Sequence, residues 1–229
     1  DMSLFDSVLN GGSGAGSPKE KGKQKFKFGG NGQKPAYNPD IPVKVNTRVK
    51  TKTAAEAVKQ FRNMHGNSKI EHAITIDKNG FVSGYTHGSS MAVVPPRANK
   101  GETLIHNHPG RSYGKTSHFS DADLLLTAKD KNLAGVVATF NGGYHNFQKG
   151  THFKAEEFAK AVNKATFSGT DYDTAVTGWL RRNQKKYGYK YTLNLDKPVA
   201  KTKKTTRAST KTKAPEIKWN EKTGQGSLF

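Results

Sequence analysis

The stretch His106-Asn107-His108-Pro109 has the residue types and spacing to bind a metal. Thr103-Leu104-Ile105 before it reads as a strand. On extended backbone, residues i and i+2 point to the same side, so both imidazoles can reach one ion. The chain has no cysteine, so a third ligand has to be a carboxylate or another histidine. Ser120-Asp121-Ala122-Asp123 follows, with Asp123 in the opening turn of a predicted helix. Two histidines, one carboxylate and a water make the open four-coordinate arrangement of catalytic zinc. Such an ion lowers the pKa of water to about 7, and a general base beside it would take the proton. Taken singly, each piece has a plainer explanation. Ser-x-x-Asp is a common helix N-cap, and an aspartate in the first turn complements the helix dipole. It is the order of strand, histidine pair, serine, acid and helix that points to a site.

The surrounding elements must place these residues. Residues 53–64 carry Ala54, Val58 and Phe61 on one face and predict a helix. Residues 70–76 alternate with period 2, Asp77 to Gly80 is a turn, and Phe81-Val82 starts the return strand of a hairpin. Met91 to Val94 reads as a short strand, residues 120–132 as a helix, and Gly135 to Phe147 as a second hairpin. Two helical segments follow, over about 154–166 and 171–186. This order predicts an α/β (α+β) domain with a mixed central β-sheet and flanking helices. The expected organisation is 1–50, a disordered Gly/Lys-rich region; 51–150, the main domain; 151–196, a helical extension packing on it; and 197–229, a disordered tail.

Composition explains the tails. Among 229 residues only 33% are hydrophobic, and the formal net charge is +20. More than half of that surplus lies outside residues 51–196. The surplus predicts a polyanionic partner, most simply nucleic acid. Lys19, Lys21, Lys23, Lys25 and Lys27 at one end and Lys201, Lys203, Lys204 and Arg207 at the other are the candidate contacts. The chain ends in Gln225-Gly226-Ser227-Leu228-Phe229. Gln225, Leu228 and Phe229 resemble the short motif with which bacterial replication proteins dock the sliding clamp. No run approaches the roughly 20 apolar residues of a membrane span, and no signal peptide is visible. A cytoplasmic location is the expectation, with association with the nucleoid, or delivery by a phage particle or secretion system, as variants.

The motif set resembles the JAMM (MPN-plus) zinc metallopeptidase family, and most of all its bacterial RadC-like branch. The likeness rests on Glu71, His106-Asn107-His108-Pro109 and Ser120-Asp121-Ala122-Asp123-Leu124-Leu125-Leu126-Thr127, and covers about residues 53–150. It implies a JAB domain, similar in fold to cytidine deaminases. It implies that His106, His108 and Asp123 bind Zn²⁺ and that Glu71 is the general base. It further implies that Ser120 donates a hydrogen bond to the oxyanion, with a peptide or isopeptide-linked protein as substrate. Eleven residues separate His108 from Ser120, more than the family pattern usually holds. Asp121 is therefore an alternative third ligand, and His118, within that gap, reads as loop surface. Glu102 is the rival base. The competing function classes are a non-enzymatic DNA-associated factor and a phage or toxin-delivered protein carrying this domain.

Overall fold

The computed structural model describes residues 22–29, 53–110 and 117–197, and the backbone of 47–48, 111–112, 217–220 and 225–228. Its centre is a seven-stranded sheet. The strands are β2 (Thr47–Arg48), β3 (His72–Ile76), β4 (Phe81–His87), β5 (Glu102–Ser112), β6 (Leu133–Asn141), β7 (Gly143–Lys149) and β9 (Tyr189–Leu195), in the order β2-β4-β3-β5-β6-β7-β9. Every neighbouring pair is antiparallel except β5 and β6. A parallel pair needs a crossover, and helix α2 (Asp121–Lys129) supplies it. The sheet is thus mixed, as the sequence predicts.

The pleat sorts the apolar residues into two cores. On one face α1 (Ala54–His65) lays Ala57, Val58 and Phe61 over Ile74, Ile76, Val82, Ile105 and Val137. On the other, α2, α3 (Ala155–Lys164) and α4 (Tyr172–Tyr187) cover Leu104, Val136, Ala138 and Phe147. Leu104 and His106 share a face, while Ile105 and Asn107 share the opposite one. That parity decides the site.

Three expectations need correction. Residues 24–26 are not disordered but form β1, antiparallel to β8 (Phe167–Gly169). Lys25-Phe26-Lys27-Phe28 looks like low complexity, yet its alternation turns Phe28 into the core against Phe167 and Trp179, at ring centroid distances of 4.8 and 5.0 Å. Lys23, Lys25 and Lys27 stay exposed. The segment 151–196 is more than a helical extension, because Tyr189–Leu195 completes the central sheet beside β7. Met91 to Val94 is a loop rather than a strand, since the Ser89 side chain accepts the Met91 and Ala92 N–H groups and folds the chain back.

In the tail, β10 (Ile217–Asn220) and β11 (Gln225–Leu228) pair as an antiparallel hairpin, so Gln225 and Leu228 sit in a paired strand. Lys19, Lys21, Lys201, Lys203, Lys204, Arg207 and Phe229 lie outside the described residues. Among the described residues no helix is long and apolar enough to cross a membrane.

Candidate metal centre

His106 and His108 leave β5 on one face, toward the start of α2. Their Nε2 atoms lie 3.1 Å apart. Asp123 Oδ1 is 3.2 Å from His106 Nε2, and Asp123 Oδ2 is 3.8 Å from His108 Nε2. Bonds of about 2.0–2.1 Å to a tetrahedral ion would separate neighbouring ligand atoms by roughly 3.3 Å. The three donors therefore fit one ion, and this buried group could hold a metal.

The helix cap and the ligand are one device. Ser120 Oγ accepts the Asp123 N–H at 3.2 Å, and Asp123 Oδ2 accepts the Ser120 N–H at 2.9 Å, forming a capping box. That exchange fixes the carboxylate with its other oxygen toward His106. Asp121 is not the third member: its Oδ1 accepts the Ala122 N–H at 2.8 Å. Ser120 Oγ uses a lone pair for its cap bond, which leaves its O–H able to donate elsewhere.

The second nitrogen of His108 settles its tautomer. Nδ1 lies 2.7 Å from the Ser117 carbonyl oxygen, which can only accept. Nδ1 therefore carries the hydrogen, and a neutral ring presents a lone pair at Nε2. Burial disfavours a charged ring at His106, but the Asp123 carboxylate, helped by Glu71, raises its pKa above the ordinary value. Burial would likewise lift Asp123, yet the two imidazoles beside it hold its carboxyl well below the usual carboxylate range. A pocket that favours a proton on His106 in this way also favours a cation in its place.

Glu71 is buried and lies just before β3. Ala73 pairs with His106 across β3 and β5, so the same antiparallel register carried two residues further sets Glu71 opposite His108. The backbone ladder stops at Ala73, and the Asn107 side chain takes over. Its Oδ1 accepts the His72 N–H at 2.6 Å, and its Nδ2 donates to the Ile70 carbonyl at 3.0 Å. These contacts flank Glu71 on both sides and hold its backbone against β5. Glu102 does not reach the centre. Its carboxylate accepts the Asn99 N–H at the start of β5, about 13 Å from His106 at ~3.3 Å per strand residue.

His118 is not loop surface. Its ring is buried and stacks on His145 at 3.7 Å. Its Nδ1 accepts the Phe119 N–H at 2.7 Å, so Nε2 is the donor toward Thr177 Oγ1 and the Tyr191 hydroxyl, each at 3.0 Å. Burial first, and the neighbouring His145 second, hold its pKa well below the ordinary value. The Pro109 ring, which offers no N–H, falls where β5 leaves regular pairing with β6. Gly110 follows with a left-handed φ of 59°.

A cleft of about 460 Å³ opens at the carboxyl ends of β5 and β6. Asn107, His108, Thr139 and Asn141 line one wall, and Arg62 and His65 of α1 line the other. Arg62 is held by Asp196 at 2.6 Å. No family model matches this chain, and neither does any curated protein or solved structure.

Proposed function

We propose that the protein is a zinc-dependent metallopeptidase or isopeptidase of the JAMM type, built on a JAB-like domain. The observation that supports this most is the convergence of two imidazoles and one carboxylate with a buried glutamate across the strand pair. When bound, zinc supplies a Lewis acid that activates water near neutral pH. Glu71 takes the proton of the attacking water as its oxygen bonds to the amide carbon. The Ser120 hydroxyl donates to the developing oxyanion. Glu71 then returns the proton to the leaving amine as the C–N bond breaks.

Zinc titration against a competing chelator tests the metal. The expected result is one zinc per chain, with Asp123→Asn weakening it by at least 10–100-fold. Asn keeps an oxygen for the capping box, so the helix start survives the substitution. Absence of zinc from the unaltered protein would sink the proposal.

The exposed Lys25 on β1, with Lys23 and Lys27 just outside its two ends, fits the second part of the reading, in which basic residues at both ends hold the protein near nucleic acid. Duplex DNA affinity is then expected to fall by roughly 10³–10⁵ between 50 and 200 mM salt if six to ten phosphates are engaged. An affinity unchanged by salt in a gel-shift titration would contradict it. Docking of Gln225, Leu228 and Phe229 on a sliding clamp belongs to the same proposal.

A further inference from the structure

We infer that Asp173, 50 residues beyond Asp123, is a positioning residue of the metal centre, acting on His108 through Ser117. This inference rests on the metal-centre reading above. Asp173 is completely buried in the first turn of α4. A carboxylate removed from water is costly unless hydrogen bonds satisfy it. Its Oδ2 accepts two bonds from one residue, the Ser117 N–H at 3.0 Å and the Ser117 Oγ–H at 2.8 Å. Ser117 is equally inaccessible, and its carbonyl is the acceptor that sets the His108 tautomer.

Asp173 does not act alone on this segment. Tyr172 donates its hydroxyl to the Phe119 carbonyl at 2.9 Å, and Thr177 Oγ1 meets His118 Nε2 at 3.0 Å. Three successive residues, Ser117, His118 and Phe119, are thus gripped by the first turns of α4. Ser120, the cap that aims Asp123, comes next in the chain. The α4 helix is itself anchored by Val176 and Leu180 in the core and capped by Asp171 at the Thr174 N–H. It therefore offers a rigid base. Losing the Asp173 acceptor frees the Ser117 peptide to turn, and His108 loses the partner that keeps its lone pair on Nε2.

The test uses the full chain, with zinc alone as the probe. Asp173→Ala should weaken zinc affinity 10–100-fold, the range for outer hydrogen-bonding partners of metal-bound histidines. Asp173→Asn retains an oxygen acceptor and should recover most of that loss. In zinc-free protein, ¹⁵N NMR of His108 should report the Nδ1–H tautomer, replaced by a mixture in Asp173→Ala. Zinc affinity within twofold of the unaltered protein, or an unchanged tautomer, would overturn the inference. If the unaltered protein binds no zinc, the metal reading fails, while the tautomer still decides on Asp173. If Asp173→Ala does not fold, Ser117→Ala decides on the same readouts: a severalfold loss supports the inference and no change overturns it.

Discussion

Glu71→Gln is expected to leave zinc affinity nearly intact while lowering amide hydrolysis by about 10²–10⁴-fold, the usual contribution of a positioned general base. The substitution keeps the shape of the side chain and removes its ability to take a proton. Glu71 lies across from the ligand strand rather than among the ligands, so its loss should not empty the site. Its backbone is held independently, by the Ser89 carbonyl at 2.8 Å and by the Asn107 amide on either side. Mass spectrometry of new amine ends in a mixture of linear and isopeptide-linked peptides, run beside a zinc titration, reads both quantities. Equal rates for the two proteins would show that Glu71 is not the base. A parallel loss of zinc would show that it belongs to the ligand set.

A steep loss of stability in mild acid is the second large effect expected. His65, His118 and His145 are buried, and burial is the first cause of their lowered pKa values, with His65 brought down to about 3. The unfolded chain takes up these protons near 6.5. Below that pH it binds protons that the folded state refuses, so stability is complete above about 7 and falls as the pH drops from 6.5 toward the folded values. Each histidine removes up to about 1.4 kcal/mol per pH unit, the limit reached once the pH is well below 6.5. Three together remove up to about 4 kcal/mol per unit, a large share of a typical total of 5–15 kcal/mol. His106 has a raised pKa and works in the opposite sense, but only between its folded value and 6.5, above this window. Urea midpoints at pH 7.5, 6.5 and 5.5, measured with a chelator present, check the slope. Equal midpoints would mean that these rings accept protons within the fold.

The strand pair, the ligand spacing and the helix that follows were legible because each is local. His106 and His108 are two residues apart, and the Ser120–Asp123 exchange spans one helical turn. Glu71 follows from the alternation of residues 70–76, which puts it on the face opposite Ile74 and Ile76. Other parts of the site have no local signal. Asp173 meets Ser117 across 56 positions, and neither residue stands out in its own neighbourhood. His118 sits in a polar stretch, but Thr177 and Tyr191 come from far along the chain to bury it. Two further elements carry a local signal. Tyr189-Lys190-Tyr191-Thr192-Leu193 alternates as a strand should, and so does Lys25-Phe26-Lys27-Phe28. In each the lysines masked the apolar beat.

Asn107 shows what the histidine spacing demands of the residue between. If two ligands must point one way from a strand, the middle residue must point the other way. The same tripeptide therefore serves both sides of the sheet. Toward α2 it presents imidazoles, and toward α1 it presents an amide that clasps the neighbouring strand. An aliphatic residue at this position would preserve the ligand spacing and still release the backbone around Glu71. Deleting one residue of β5 ahead of His106 would reverse both assignments at once, turning imidazole toward α1 and the amide toward the ion. The His-Asn-His sequence is thus a statement about the register of two strands as much as about a metal.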